Sequence, residues 1–336
     1  MKAFSVKSFI DEELIHKWIE ESKSLINKIG NDKKIPTQLQ EVTTVSEEEW
    51  NLLLKDLLKL KLSHFGFTQE EREILHQLEL PQYPRPTIAQ IKEIILSKNE
   101  QKLIELCSEP YINLRSLHLK GYPIGLDEAT ALSQTLWWFR LESLDLSNAT
   151  LYEEAAEILF KESSWTNLEI LNLLHNRICV RSTEALSKDP FCTNLSRLTL
   201  ENNQVGSKGA VALSKNSSWT KLTERNLSSN YIGVKGAEAL SNNISWKNLT
   251  TLDLSWNKIG GEGAVALSKN SSWTNLTTLN LSSNYIGVKG AVSLSENISW
   301  TNLTTLDLSW NNSIGDEGAV ALSKNSSWTK LTVLDL

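Results

Sequence analysis

Thiol and imidazole groups are the side chains of this sequence with the clearest capacity for catalysis or metal binding. Cys107 has Glu109 two residues further on, but a thiol nucleophile also needs a base or cation that lowers its pKa. No histidine stands near it in the sequence. His16, His64 and His76 fall on separate predicted helices, without the spacing of metal ligands. We therefore predict no catalytic residue and no metal site, and we expect Cys107 to be a buried or unreactive thiol.

A Gly-x-x-Gly sequence such as Gly233-Val-Lys-Gly236 could, in isolation, hold a phosphate group. The same pattern recurs regularly through the second half of the chain, which a single cofactor site does not require. Its glycines suit a tight turn from a strand into a helix. We therefore predict no cofactor.

Binding is a stronger expectation than catalysis, and it rests first on Trp256 and Trp310. Each stands directly before an asparagine, where sister segments have Ser229 and Ser283. The two tryptophans lie two repeats apart, which corresponds to roughly 10 Å across a sheet with strands about 4.8 Å apart. An exposed tryptophan is a favoured anchor for a protein partner. In the alternative interpretation, each indole lies flat on the turn of the neighbouring repeat and only shields it.

The polar positions of the predicted strands lean acidic. Asp253, Asp307 and Glu201 occupy such positions, where basic residues such as Arg197 are fewer. Asn280 fills a corresponding position. We predict that these five residues bind a partner together with the two tryptophans. Complementary charge favours a protein with a basic or mixed-charge surface. The alternative is that the acids only keep this face soluble.

A repeat of 27 residues positions these side chains. The motif L-x-x-L-x-L-x-x-N begins at Leu114 and at every 27th residue up to Leu303, and the last copy begins one residue late, at Leu331. Alternating leucines predict half-buried strands, stacked into a parallel sheet. The segment N-x-I-G-x-x-G-A-x-A-L that follows predicts a turn and a helix packed closely on that sheet. We expect the asparagine to hydrogen-bond the backbone of the turn and not a ligand.

These motifs resemble the ribonuclease-inhibitor subfamily of leucine-rich repeat proteins, over about Leu114 to Leu336. The resemblance implies an α/β fold, a right-handed solenoid with parallel strands on the concave face and helices on the convex face. Such solenoids typically bind another protein on the concave face. The chain is also similar in style to repeat effectors that intracellular bacteria deliver into host cells, because its repeats are rich in asparagine and serine and closely duplicated.

Several repeats depart from the motif. The first two have Tyr122 and Ala149 in place of the asparagine, as expected beside a cap. In the fifth, Arg225 replaces an inward leucine, and we expect its guanidinium to reach water or a carboxylate such as Glu224. Three residues before the first leucine, a recurring tryptophan, replaced once by Cys192, predicts a packing column. The tryptophans of this column are Trp138, Trp165, Trp219, Trp246, Trp273, Trp300 and Trp328.

The sequence divides into three predicted parts. Helical spacing of leucines predicts an α-helical N-terminal region over residues 1–86 and a helical cap and connector over 87–113, followed by the repeat domain over 114–336. The N-terminal region is either a helical bundle with a cap or a separate partner-binding module. The sequence stops inside a predicted strand, so we expect either a truncated chain or association through an uncapped sheet edge.

Composition narrows the class of protein. A net charge of −6 without a basic block argues against nucleic-acid binding. Three cysteines without C-x-x-C spacing favour a reducing, intracellular setting. The sequence has neither a Sec-type signal peptide nor a run of about 18 apolar residues, which argues against a membrane protein. We therefore expect a cytoplasmic protein, located in the host-cell cytosol if it is a secreted effector.

Two functional hypotheses follow. The first is a non-enzymatic protein that binds a protein partner on the concave face of the solenoid. The second is an enzyme-linked role, either as a GTPase activator through an unrepeated polar residue such as Arg197, or as a substrate adaptor of a ubiquitin ligase. Residues 207–260 and 261–314 are near copies. Such a duplication multiplies a binding face, whereas catalysis usually depends on one unrepeated arrangement, so we favour the first hypothesis.

Overall fold

The computed structural model describes Leu103, Cys107 and residues 114–336, except positions 136, 137, 139, 163, 164, 190, 191 and 312. The chain divides into two units, Met1–Pro84 and Arg85–Leu336, and everything described belongs to the second. The predictions for the N-terminal region, and most of those for the cap, lie outside the described residues. Leu103 and Cys107 are helical and buried.

The repeats form one sheet of nine parallel strands, which follow one another in the order of the sequence. Neighbouring strands are in phase, so that equivalent repeat positions pair: Leu252 faces Leu279, which faces Leu306. This arrangement confirms the predicted solenoid. The strands are β1 (Ser116–His118), β2 (Ser143–Asp145), β3 (Ile170–Asn172), β4 (Arg197–Thr199), β5 (Glu224–Asn226), β6 (Thr251–Asp253), β7 (Thr278–Asn280), β8 (Thr305–Asp307) and β9 (Val333–Asp335).

A helix connects each strand to the next. In the helix over Gly233–Ser241, Gly233 has a φ of +65°, the left-handed region that favours glycine. A Cβ on Gly236 would lie 3.0 Å from the Cβ of Ala210, so a larger residue would push neighbouring helices apart. The helices are α1 (Leu126–Ser133), α2 (Glu153–Glu162), α3 (Val180–Lys188), α4 (Gly206–Ser214), α5 (Gly233–Ser241), α6 (Gly260–Ser268), α7 (Gly287–Ser295) and α8 (Gly315–Ser323).

Leucines and tryptophans fill the space between the sheet and the helices. Leu249, Leu252 and Leu254 of the sixth repeat are each at most 1% exposed, and their equivalents in most other repeats are similarly buried. The predicted tryptophan column is buried as well, from Trp138 to Trp328. Cys192 takes its place in the column at 1% exposure. The column is thus a structural feature, which leaves Trp256 and Trp310 as tryptophans with a different role.

The motif asparagine connects three successive repeats, as Asn257 illustrates. Its Nδ2 donates to the carbonyl oxygens of Leu254 in its own repeat, at 3.0 Å, and Leu227 in the preceding one, at 2.8 Å. Its Oδ1 accepts from the backbone N–H of Ile232, also in the preceding repeat. Its own N–H donates to the Oδ1 of Asn284 in the following repeat. Because the side chain is fully buried, these bonds satisfy backbone groups that water cannot reach.

A second asparagine column, which was not predicted, supports the turn from each helix to the next strand. The Oδ1 of Asn243 accepts from the backbone N–H groups of Ser245 and Trp246, at 2.9 and 3.1 Å. Its Nδ2 donates to the carbonyl oxygen of Ser214 in the preceding repeat. The recurring Asn-x-Ser triplets thus have a structural purpose. The other members of the column are Asn216, Asn270, Asn297 and Asn325.

The expectation for Arg225 was wrong. Its side chain is 1% exposed, and none of its three guanidinium nitrogens has a hydrogen-bond partner. The guanidinium carbon lies 4.0 Å from the ring centroid of Trp246 and 5.3 Å from that of Trp219. Glu224 cannot reach it, because adjacent residues of a strand point to opposite faces of the sheet. The arginine is therefore held between two indoles, in contact with neither water nor a carboxylate.

Candidate protein-binding surface

The turns that follow the strands place two side chains per repeat in solvent. On both sides of the buried Asn257, Trp256 and Lys258 have φ values of 58° and 55°. Ser229 and Tyr231 flank the preceding asparagine with φ values of 56° and 57°. Non-glycine residues seldom adopt this left-handed conformation. Its recurrence directs the side chains before and after each asparagine away from the core.

Four aromatic residues occupy these positions in alternation, and we call them the aromatic edge: Tyr231, Trp256, Tyr285 and Trp310. Their exposed fractions are 63%, 64%, 73% and 75%. Such exposure is inconsistent with indoles that serve only as lids on neighbouring turns. The repeat pattern indicates the tryptophans as exposed residues but does not indicate the tyrosines. The tyrosines could have been found from their position directly after the motif asparagine. That position is as exposed as the tryptophan position directly before the asparagine.

The sheet determines the spacing of the aromatic edge. Its hydrogen-bond ladder continues into the turns, where the N–H of Trp256 donates to the carbonyl oxygen of Ser282 at 3.0 Å and that of Ser283 to Ser309 at 2.9 Å. The two tryptophans therefore remain two strand spacings apart, or roughly 10 Å along the backbone. The same interval separates Tyr231 from Tyr285. In the row of positions before the motif asparagine, the small side chain of Ser283 lies between the two tryptophans.

Three of the predicted binding residues lie side by side on the strand face. Asp253, Asn280 and Asp307 pair in register across β6, β7 and β8. Each is only partly exposed, and its Oδ1 accepts from the backbone N–H two residues later, at 2.9 Å. Burial, with a smaller contribution from the charge of Asp307, raises the pKa of Asp253. These side chains therefore stabilise the turn as well as giving the face its acidic character.

Arg197 and Glu201 lie in the fourth repeat, away from the three strands that carry the tryptophans. The Nε and Nη2 of Arg197 donate to the two carboxylate oxygens of Glu224, at 2.6 and 2.7 Å. This pairing raises the pKa of Arg197. Glu201 accepts a hydrogen bond from the Nδ2 of Asn226 at 2.9 Å. A GTPase-activating arginine requires a free guanidinium for the transferred phosphate, so this geometry does not favour that role for Arg197.

The cysteines of the described region are poorly suited to nucleophilic chemistry. Burial raises the pKa of the Cys107 thiol to about 12. Burial also raises the pKa of Cys192 well above its ordinary value, with a further contribution from Asp189. The pKa of Cys179 is raised by burial and by a hydrogen bond with Glu153. All three are thus protonated at neutral pH, whereas the thiolate is the reactive form.

The metal-binding groups and the helix lengths of the described residues also bear on the class of protein. No group of three or more histidine, cysteine, aspartate or glutamate side chains is arranged to hold a metal ion within residues 114–336 and the two described helical positions. Over the same positions, no helix has the length and apolar character needed to cross a membrane.

Comparison with known proteins identifies the repeats. A family profile described as Leucine Rich repeat matches residues 191–214, 220–241, 247–268, 274–295 and 301–323. No curated protein sequence matches the chain. Among solved structures, an internalin from Listeria monocytogenes is 21% identical with a TM-score of 0.41, covering 69% of this chain and 70% of its own. The actin-binding site 2 of leiomodin-1 is 18% identical with a TM-score of 0.34, covering 43% and 88% respectively. The matched repeats and the continuous parallel sheet together show that the described part of the chain has a leucine-rich repeat fold.

Proposed function

We propose that the protein is a non-enzymatic interaction module, which binds a protein partner through the aromatic edge and the adjoining strand face. The observation that carries this proposal is the exposure of two tryptophans and two tyrosines at equivalent turns of four consecutive repeats. Aromatic side chains provide large contact areas with few rotatable bonds, and they are the commonest anchors of protein interfaces. A row of them in solvent costs solubility, and a binding role accounts for that cost.

The strand face beside the aromatic edge favours a basic or mixed-charge partner. Asp253 and Asp307 lie three residues before the two tryptophans on the same strands. Because Arg197 is already paired with Glu224, the net charge of the remaining groups on this face is negative. Charge complementarity would steer and orient a basic partner, while the aromatic anchors would supply most of the affinity.

The finer identity that we propose is a ribonuclease-inhibitor-like repeat protein, acting as an effector of an intracellular bacterium in the host-cell cytosol. Its support is the motif N-x-I-G-x-x-G-A-x-A-L, which leads into the nine-residue helices α5 and α6, and into α4 and α7 with one substitution each, Val205 and Ser293. The protonated thiols are compatible with a reducing compartment. The near-identical pairs of repeats are compatible with recent duplication of a binding face.

Capture of a partner should depend on the two tryptophans. The double variant Trp256→Ser/Trp310→Ser introduces the residue that sister repeats carry as Ser229 and Ser283, with the same left-handed φ. We expect it to retain the native melting temperature and to weaken partner binding by roughly tenfold or more, because interface tryptophans are typical hot spots. The measurement is quantitative affinity capture from host-cell lysate with the full chain.

The chain offers a matched control at the opposite end of the strands. Ile244 and Ile298 are 67% and 72% exposed, and sister repeats carry Ser217 and Ser271 in their place. We expect Ile244→Ser/Ile298→Ser to leave capture unchanged, although it removes comparable exposed apolar residues. If the tryptophan variant retained every partner, or if the isoleucine variant lost them equally, the aromatic edge would not be the binding surface.

A further inference from the structure

The aromatic edge contains two interleaved pairs with a common interval. Trp256 and Trp310 stand before the motif asparagine in repeats six and eight, and Tyr231 and Tyr285 stand after it in repeats five and seven. Because the register is continuous from β5 to β8, each pair has a separation of two strands. The interval is roughly 10 Å in both rows. A ligand that follows the edge must therefore present groups at that pitch.

An extended proline-rich segment has this pitch. The polyproline II helix has three residues per turn and rises about 3.1 Å per residue, so equivalent side chains recur about every 9 Å. An added β-strand would present same-face side chains about every 6.6 Å, which does not match two strand spacings. An α-helix requires an apolar groove wide enough for its larger diameter. Here the one equivalent position between the tryptophans is Ser283, a partly exposed serine in a turn.

Charge indicates which proline-rich segments would fit. Beyond Trp310, helix α8 begins five residues later and carries Asp316 and Glu317 exposed in its first turn. Asp307 lies on the preceding strand. At the other end, the Nζ of Lys258 lies 5.4 Å from the ring centroid of Tyr231 and places a positive charge there. The end of the edge at repeat eight thus has carboxylates on the strand side (Asp307) and on the helix side (Asp316 and Glu317), whereas the other end has an ammonium group.

We propose that the aromatic edge binds a proline-rich segment in the polyproline II conformation, with prolines three residues apart and a basic residue at its β8 end. Aromatic rings suit this ligand because the flat, preformed helix loses little conformational entropy when it docks. The inference deepens the proposed function, on which it rests, by naming the class of partner. Trp256 and Trp310 would contact successive turns of the segment, and Asp307, Asp316 and Glu317 would orient it.

The test uses the full chain and three fluorescent peptides: polyproline, Pro-x-x-Pro-x-x-Arg and Arg-x-x-Pro-x-x-Pro. Fluorescence anisotropy is expected to show saturable binding, tighter for one basic peptide than for polyproline and weakened by salt. Trp256→Ser/Trp310→Ser should lose roughly tenfold or more in affinity. Ile244→Ser/Ile298→Ser should lose none. Asp307→Asn/Asp316→Asn should reduce the preference for the basic peptide without abolishing binding of polyproline.

Two results would overturn the inference: no saturable binding to any of the three peptides, or equal affinity for peptides in which alanine replaces every proline. Either result together with tryptophan-dependent capture from lysate would contradict the proline-rich ligand and leave the proposed binding function standing. The same results with tryptophan-independent capture would contradict both. Equal loss of peptide binding in the isoleucine variant would also contradict the assignment to this edge.

Discussion

Replacement of Arg225 by leucine is expected to stabilise the repeat domain by about 3 kcal/mol. Burial lowers the pKa of its guanidinium to about 9, a shift that corresponds to a cost of roughly 5 kcal/mol for the charged form. Contacts with the rings of Trp219 and Trp246 offset this cost by about 2 kcal/mol. Thermal and urea unfolding should show the gain, with a melting temperature higher by roughly 6–12 °C.

The duplicated repeats supply a reciprocal control. Leu279 occupies the same position two repeats later, between Trp273 and Trp300 of the column, and is 1% exposed. Leu279→Arg should therefore lower stability by at least as much as Arg225→Leu raises it, since the arginine also displaces a well-packed leucine. An unchanged or lower melting temperature for Arg225→Leu would mean that the native fold accommodates or uses the guanidinium.

The effect of Arg225 should depend on pH in one direction. Its folded-state pKa is lower than the ordinary value, so above about pH 9 the folded chain releases a proton that the unfolded chain retains. Native stability then rises with pH relative to the leucine variant, and the difference between the two proteins narrows. Below about pH 9 both states are protonated, and the difference should be constant. Urea titrations of both proteins at several pH values measure this difference in the free energy of unfolding.

Removal of the Asn257 side chain should destabilise the domain by roughly 4 kcal/mol. Asn257→Ala leaves the buried N–H groups of Asn230 and Ile232 without their acceptor, whereas the carbonyl oxygens of Leu227 and Leu254 keep bonds from Asn230 and Asn284. Each buried group without a partner costs about 1–3 kcal/mol. Urea unfolding followed by circular dichroism gives the change in the free energy of unfolding.

The matched control is an exposed asparagine shortly before the same strand, β6. The Nδ2 of Asn248 donates to the carbonyl oxygen of Thr220 at 2.8 Å, but its side chain is exposed. We expect Asn248→Ala to change stability by no more than about 0.5 kcal/mol, since water can replace the lost bond. Equal effects at the two positions would show that the motif asparagine contributes no more than a surface hydrogen bond.

The solenoid could be predicted from the sequence because its determinants are local and repeated. Alternation of Leu252 and Leu254 with polar residues specifies one buried face of a strand, and the 27-residue period stacks that face on the next. The role of Asn257 follows from the same logic, since a buried amide in a turn must satisfy backbone groups. These inferences need no knowledge of distant neighbours.

The environment of Arg225 was not predictable in this way. The sequence of a single repeat indicates a charge that points into the core. Such a charge is usually stabilised by contact with water or with a carboxylate. The rings that enclose it belong to Trp219, just before its own strand, and Trp246, just before the next one. Their approach depends on how successive repeats stack, which the motif leaves undefined.

The candidate surface was predicted only in part, because its aromatic residues lie in turns and not in strands. Strict alternation identifies the side chains that leave a strand, but it fails in the turn, where left-handed residues expose both neighbours of the asparagine. Tyr231 and Tyr285 were missed on that account. Asp253 and Asp307 were placed correctly on the strand face, whereas their bonds to the backbone of the following turn depend on turn geometry.

The central position of Arg225 also has a consequence for the cooperativity of the domain. In a linear array each repeat is coupled only to its neighbours, so the weakest coupling determines where the array divides. Arg225 belongs to β5, with four strands on either side. The blocks on either side, β1–β4 and β6–β9, are thus expected to be less tightly coupled in the native chain than in the leucine variant, whose unfolding transition should be steeper. The block after this boundary carries both tryptophans of the aromatic edge, so binding would stabilise one half of the array in preference to the other.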